Sequence, residues 1–426
     1  MGKIKLDLAT NFDEKLLDFI EENDKNHQVI SMFGKLSSDH VGGGRASVAL
    51  RDTDWEDIKN YAARAGTMGI QLNYLINPLT LNNQDIIPEE HRKLVKYISD
   101  IYDIGIRWIT VCSPFLLQLI KKQFPEMKVT IGVYAYIDSM TKIRNWVEMG
   151  ADEITLMENC TRNFPFLKKV LTQYRQTNVR FRIIANNGCL HDCPYSISHA
   201  GAVSCSSRTG DASAKQYYDY SLVNCYSRKL EKPTNMICSD WIRPEDLKYY
   251  EKLCEECRND NLVIKLVERT KSTDFLCRVA RAYIDESYEG NLLDLFNWVG
   301  NDNGKSGFQM QPYIEAAKRG DVDMGALIKY SGFFSLPKLY IDNKKLDGFI
   351  EHFVNQYQCK DKVCFVCNDL NDTDVIDKKH YCFYCRRWME KVTYIEQKEQ
   401  YDNWVSSIEE LKESFHNSDF FKGEAI

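Results

Sequence analysis

The chain has 426 residues, of which 44% are hydrophobic and 27% charged, and a formal net charge of −6. That is enough chain for a large core plus an appendage, and the negative balance argues against a general nucleic-acid or membrane-surface binder. No run of about 18 apolar residues predicts a membrane span, and the start, Met-Gly-Lys-Ile-Lys-Leu-Asp-Leu, lacks the apolar core of a signal peptide.

A cytoplasmic location is therefore expected, where thiols stay reduced. The 15 cysteines then read as metal ligands where they cluster. Scattered ones such as Cys112, Cys160 and Cys277 read as small core residues.

The first 270 residues alternate short β-rich runs with amphipathic helical patterns. Strands are predicted at Val29–Lys35, Ile70–Ile76, Ile106–Cys112, Val129–Tyr136, Glu153–Glu158, Arg180–Asn186, Asn235–Trp241 and Leu262–Glu268. Many are nearly continuous apolar runs, as in strands buried on both faces. Helices are predicted at Trp55–Met68, Glu89–Ile104, Pro114–Phe124, Ser139–Met149 and Phe164–Tyr174, with Gly69, Gly105 and Gly150 at helix ends. Eight alternating pairs predict an α/β fold, a (β/α)8 TIM-type barrel over residues 1–270. A doubly wound sheet is the rival. No G-x-G-x-x-G follows the first strand, which weakens its dinucleotide-binding version.

One spacing departs from the barrel repeat. The segment 188–234 reads as a long loop bearing Cys189, Cys193, Cys205 and Cys225, with Cys238 on the strand after it. Barrel chemistry collects where strands run out into such loops. Four thiolates there suit an iron–sulfur cluster, assigned to Cys189, Cys193, Cys225 and Cys238, with Cys205 as substitute for either of the last two. Zinc and buried structural thiols are the alternatives. Cys189-x3-Cys193 is followed by Ser196 where a radical-SAM signature would place its third cysteine. His191 beside the cluster is a candidate proton donor or cluster ligand.

Polar residues at other predicted strand ends complete a candidate pocket. Arg45 closes the loop Asp39-His-Val-Gly-Gly-Gly-Arg45, whose glycines allow close approach to an anion. Asn73, Asn77, Lys265 and Arg269 are candidate substrate contacts, and Glu268 a candidate catalytic group. Arg243, in Asp-Trp-Ile-Arg-Pro-Glu-Asp, could clamp a carboxylate, although that segment also has the composition of a plain helix start.

Beyond residue 270 the pattern changes to a helical extension, 271–345, expected to pack on the barrel, and a cysteine-rich tail, 346–426. In the tail Cys364-x2-Cys367 and Cys382-x2-Cys385 form paired knuckles suited to zinc, while Cys359 ahead of them gives a ferredoxin-like run and a second iron–sulfur cluster as the alternative.

Together, Gly-Gly-Gly-Arg-Ala-Ser, Asn73-Tyr-Leu-Ile-Asn77, Asn-Gly-Cys-Leu-His-Asp-Cys-Pro, Trp-Ile-Arg-Pro-Glu-Asp-Leu and Lys-Leu-Val-Glu-Arg-Thr resemble the collagenase-like peptidase U-32 family, over roughly residues 28–300. The resemblance implies a TIM-type barrel with iron–sulfur clusters on barrel-loop cysteines. It also implies, for several members, oxygen-independent hydroxylation of RNA bases or a quinone precursor. Carried over, it places a 4Fe–4S cluster on Cys189, Cys193, Cys225 and Cys238. The cysteine spacing here departs from the hydroxylase members, and the thiol-rich tail is not general to the family.

The function expected is an oxygen-independent redox modification, hydroxylation or a related step, of a small-molecule, peptide or RNA substrate. An electron donor or partner protein would serve it. The alternatives are a metal-dependent peptidase or hydrolase, and a scaffold that binds a partner through the tail. No H-E-x-x-H or G-x-S-x-G supports hydrolysis.

Overall fold

The computed structural model describes residues 2–211, 218–296, 298, 311–332, 339–356 and 383–421. Its centre is a closed barrel of eight parallel strands in chain order. They are β1 Lys5–Ala9, β2 Val29–Gly34, β3 Gln71–Ile76, β4 Trp108–Val111, β5 Lys128–Ile131, β6 Glu153–Thr155, β7 Arg180–Ile184 and β8 Leu262–Leu266. The predicted (β/α)8 fold is present. Helices α1 Glu14–Asn23, α2 Trp55–Thr67, α3 Pro88–Asp103, α4 Pro114–Gln123, α5 Met140–Glu148 and α6 Phe164–Gln173 follow the first strands on the outside. Their starts are set locally: Ser113 and Ser139 cap α4 and α5, and Asp54 and Asp57 form a capping box on α2.

One predicted strand is replaced by another. Asn235–Trp241 is not a strand, and β1 completes the barrel in its place. The segment instead forms α9, Thr234–Cys238, and a turn. Its carbonyls are taken locally: Arg162 donates to Trp241 O at 2.8 Å and Ile237 O at 3.3 Å, and Trp241 Nε1 to Met236 O at 2.7 Å. The apolar run is buried without belonging to a sheet. The predicted loop 188–234 is also largely helical, with α7 Ser196–Ser206 and α8 Tyr220–Glu231. The small residues of α7 give no clear apolar stripe, so its helix is not legible from periodicity. Finally α10 Leu247–Cys257 precedes β8, and α11 Thr273–Ile284 packs against α1 to close the helical ring.

Each strand contributes one polar side chain to a chain of hydrogen bonds inside the barrel. Asp7 of β1 accepts from Ser31 of β2 at 2.7 Å, Arg182 of β7 at 2.6 Å and Lys265 of β8 at 3.0 Å. Arg182 also pairs with Glu153 of β6 at 2.5 Å. Thr130 of β5 donates to Glu153, Asn73 of β3 to Thr130, and Thr110 of β4 to Asn73, at 2.7, 2.9 and 2.7 Å. Two carboxylates thus face two cations in a buried setting where each needs the others. Burial alone would raise the Asp7 carboxyl, but Arg182 and Lys265 outweigh it and hold it below the usual range. Burial, with repulsion from Arg182, pushes Lys265 down to about 8 against the pull of Asp7.

The C-terminal part packs on the barrel. Leu339–Ile341 and Thr393–Ile395 form an antiparallel pair. The helix Lys398–His416 lies along α8, where Tyr401 donates to Leu230 O, Ser227 donates to Glu409 at 2.7 Å, and Phe415 packs on Tyr220. Cys359, Cys364, Cys367 and Cys382 lie outside the described residues, so of the paired knuckles only Cys385 falls within them, where it is buried. Among the described residues no helix is long and apolar enough to cross a membrane.

Replacing Asp7 with Asn should cost about 3–5 kcal/mol, because it leaves two buried cations under-compensated. Urea unfolding would measure it. A cost near zero would show that the barrel does not depend on this carboxylate.

Candidate active site at the barrel mouth

Above the polar chain, at the C-terminal ends of the strands, lies a cavity of about 330 Å³. That is the face where βα loops of such barrels carry chemistry. Phe33, Leu75, Thr110, Ile184 and Lys265 form its floor. Lys265 and Thr110 belong to the polar chain, so the barrel core and the cavity share side chains.

One wall carries thiols. Cys189, Cys193 and Cys225 all line the cavity, and Cys225 is close enough to both of the others for their charges to interact. Burial, with Glu158 and Cys225, pushes the Cys189 thiol up, and burial also raises Cys193. Lys229 of α8 sits on the same wall, 5% exposed, with the Tyr226 ring 5.3 Å from its ammonium, and its charge favours the thiolate forms. None of the described cysteines is in a disulfide. Cys238 is not part of this wall: it ends α9 and packs against the core. Cys205, at the far end of α7, does not line the cavity either.

A second wall is basic. Arg45 Nη2 meets Glu268 Oε1 at 3.3 Å, and Arg45 Nη1 donates to Gly44 O at 2.8 Å. Arg269 lines the cavity at 5% exposure and makes no hydrogen bond or salt bridge among the described residues. Glu268 precedes it with φ at +94°, a conformation that non-glycine residues avoid. Asn186 pins this turn, accepting from Val267 N at 2.7 Å and donating to Val267 O at 3.2 Å. The strained backbone turns two consecutive charged side chains into the mouth.

Two N–H groups of the Gly-Gly-Gly loop are spent within the protein, Gly42 N on Asp39 and Gly43 N on Ser207. Gly42, at φ +85°, closes on α7 so tightly that a Cβ would stand 2.4 Å from Ser204 O. Gly43 N donates to Ser207 Oγ at 2.9 Å, and Lys35 binds Gly42 O at 2.6 Å and Asp39 at 2.6 Å. Gly42 and Gly43 dock the loop on α7, and Gly44 and Arg45 line the cavity.

Asn77 lines the cavity, whereas Asn73 is spent within the barrel. His191 stands just behind the wall, its Nδ1 2.7 Å from Asp240 Oδ2. Burial would lower its pKa, but Asp240 raises it. Arg243 does not reach the cavity. It is buried, forked onto Asp246 at 2.9 and 2.6 Å, and donates to Asn343 O at 2.8 Å, so it ties a helix start to the C-terminal part. The plain helix-start reading accounts for its placement, and the carboxylate-clamp reading does not.

Sequence reasoning missed Glu158, Lys229 and the aromatic wall of Tyr134 and Tyr136. Glu158 follows β6, accepts from Asn187 at 3.1 Å, and is pushed up to about 7 by burial and by Asp240. A carboxylate at the end of a barrel strand was the available signal. At that value it exchanges a proton near neutrality. His199 and Asp219, 2.9 Å apart, close the rim. Tyr330 of the C-terminal helix Met324–Gly332 lines the cavity too, accepting from Asp219 N at 3.1 Å.

A (β/α)8 barrel with a mostly apolar cavity at its C-terminal mouth, carrying thiols and a few charged groups, is the layout of a barrel enzyme. The chain matches the model of peptidase family U32 over residues 39–164. It is 25% identical over 328 residues to an uncharacterized protease of Methanocaldococcus jannaschii, covering 77% of this chain and 82% of that protein. These two matches bear out its resemblance to the U32 peptidases. Among solved structures, the U32 peptidase Mk0906 is similar at 14% identity and a TM-score of 0.45, over 63% of this chain and 95% of that one. The family span includes Arg45, Asn77 and Glu158 and ends before the thiols.

The raised Glu158 value has a signed consequence. Folded protein holds this proton above the ordinary carboxylate value of 4.5, so the stability it contributes is lost as pH rises toward 7. Glu158→Gln should flatten that part of the stability–pH curve, measured by urea unfolding across the window. An unchanged curve would show that Glu158 titrates normally.

Proposed function

We propose that the protein is an enzyme whose cavity carries out an oxygen-independent redox modification, hydroxylation or a related step, with an iron–sulfur cluster held by Cys189, Cys193 and Cys225. The observation that carries this reading is the convergence of three unpaired thiols on one wall of the cavity. Among the described residues no three His, Cys, Asp or Glu side chains are grouped to hold a metal ion. A cluster asks for something different, since each thiolate binds its own iron and the sulfurs need not converge on one point. Three thiols on one wall suit such a group in kind and in number. Such a cluster would supply one-electron chemistry and, with three thiolates, an iron with an open position.

The remaining roles fall to the chain. Lys229 offsets thiolate charge. Glu158 takes up or delivers a proton near neutral pH. Phe33, Leu75, Tyr134 and Tyr136 keep water from most of the cavity, and its size suits a small molecule. An electron donor would complete the cycle, and the tail knuckles, as zinc or a second cluster, are a site for partner contact.

A hydrolytic reading is favoured by one observation: Glu158 is poised as a base beside Asp240, which also orients His191. Turnover of a peptide panel by metal-free protein, lost in Glu158→Gln, would establish it over the redox reading.

Anaerobically purified protein should contain iron and acid-labile sulfide. Cys189→Ser, Cys193→Ser and Cys225→Ser should each lose most of both, and Cys238→Ser should keep them. Absence of iron and sulfide from the parent protein would end the redox reading.

A further inference from the structure

Three cations around the basic wall each have a carboxylate in contact. Lys35 is paired with Asp39, Lys265 with Asp7, and Arg45 with Glu268. Arg269 makes no hydrogen bond or salt bridge among the described residues, although it is buried and faces the cavity, and Asp39 acts on it only from beyond contact. A buried guanidinium stays charged, and leaving it uncompensated is costly. Glu268 is in contact with Arg45, which leaves the Arg269 guanidinium with no carboxylate in contact.

The same wall holds unused acceptors. Glu268 Oε2 and Asn77 Oδ1 are buried and without a hydrogen bond. The complement of this inventory is a single negative charge with a hydrogen-bond donor close beside it. The positive φ at Glu268 presents both side chains to the cavity, and only Glu268 finds a partner there, in Arg45.

From this geometry we infer that Arg45 and Arg269 hold the carboxylate of a small 2-hydroxy acid, its hydroxyl donating to Glu268 and its apolar body lying against the aromatic wall. The planar guanidinium of Arg269 matches a carboxylate bidentately. A phosphate dianion would overcompensate the wall, and a zwitterionic amino acid would leave its charge unmatched. The inference rests on the reading of this cavity as the substrate site and names the substrate class.

Calorimetric titration of the anaerobically purified protein with phenyllactate, hydrocinnamate, phenylalanine and phenyl phosphate tests it. Phenyllactate should bind tightest, about tenfold over hydrocinnamate for the added hydrogen bond to a charged acceptor. Arg269→Met should weaken phenyllactate binding at least about tenfold. The ligand-free variant should melt no lower than the parent, because it loses an unpaired buried charge. Equal or tighter binding of phenyl phosphate or phenylalanine would overturn the inference. So would unchanged binding by the variant, a fall in its melting temperature, or no binding of any probe up to millimolar concentration. Iron and sulfide content, read on the same preparations, keeps the two accounts apart: binding without iron sinks only the redox reading, and iron without binding sinks only this one.

Discussion

The buried carboxylate of Asp7 is the point from which the barrel and its site are organised. It draws together Ser31, Arg182 and Lys265, from the second, seventh and eighth strands. It therefore sits at the seam where the first strand must find the last. Arg182 continues the network to Glu153, and from there hydroxyl and amide groups carry it round the remaining strands. In an interior that would otherwise favour apolar layers, this chain tolerates charges because each has its complement. The register of all eight strands is thereby specified by hydrogen bonds as well as by packing.

The cavity inherits its character from that floor. Lys265 is committed downward to Asp7, which leaves the basic wall above to Arg45 and Arg269. Asn186 and the strained turn at Glu268 direct the wall inward, and the glycine loop braces it through α7. In the same lining, α8 supplies both Cys225 and Lys229, and the helix Lys398–His416 packs along α8. The C-terminal part thus holds the thiol wall in place from behind, while Tyr330 contributes directly to the lining.

Much of this was legible in the sequence, for identifiable reasons. Seven of the strands are apolar runs bounded by helix signals, and their periodicity names them. β1 is not legible because it has a carboxylate at its centre and no helix before it. The partners that make Asp7 a core residue lie 175 and 258 positions away, beyond any local pattern. The false strand at 235–241 was apolar for a different reason, burial beneath Arg162 and Trp241. Cys238 ends α9 rather than a strand and does not line the cavity, although Ser239 beside it donates to Gly188 O at 3.4 Å and Asp240 belongs to the lining. Cys189, Cys193 and Cys225 were legible from their position after β7. Glu158 and Lys229 were not, since only the folded chain shows which wall they share.

The central claim is that the three cavity thiols hold iron beside the basic wall. Anomalous diffraction at the iron edge, from crystals grown anaerobically, tests it most directly. The account predicts a strong iron peak inside the cavity, against Cys189, Cys193 and Cys225. An empty cavity, or iron found only at Cys238 or in the tail, would contradict it.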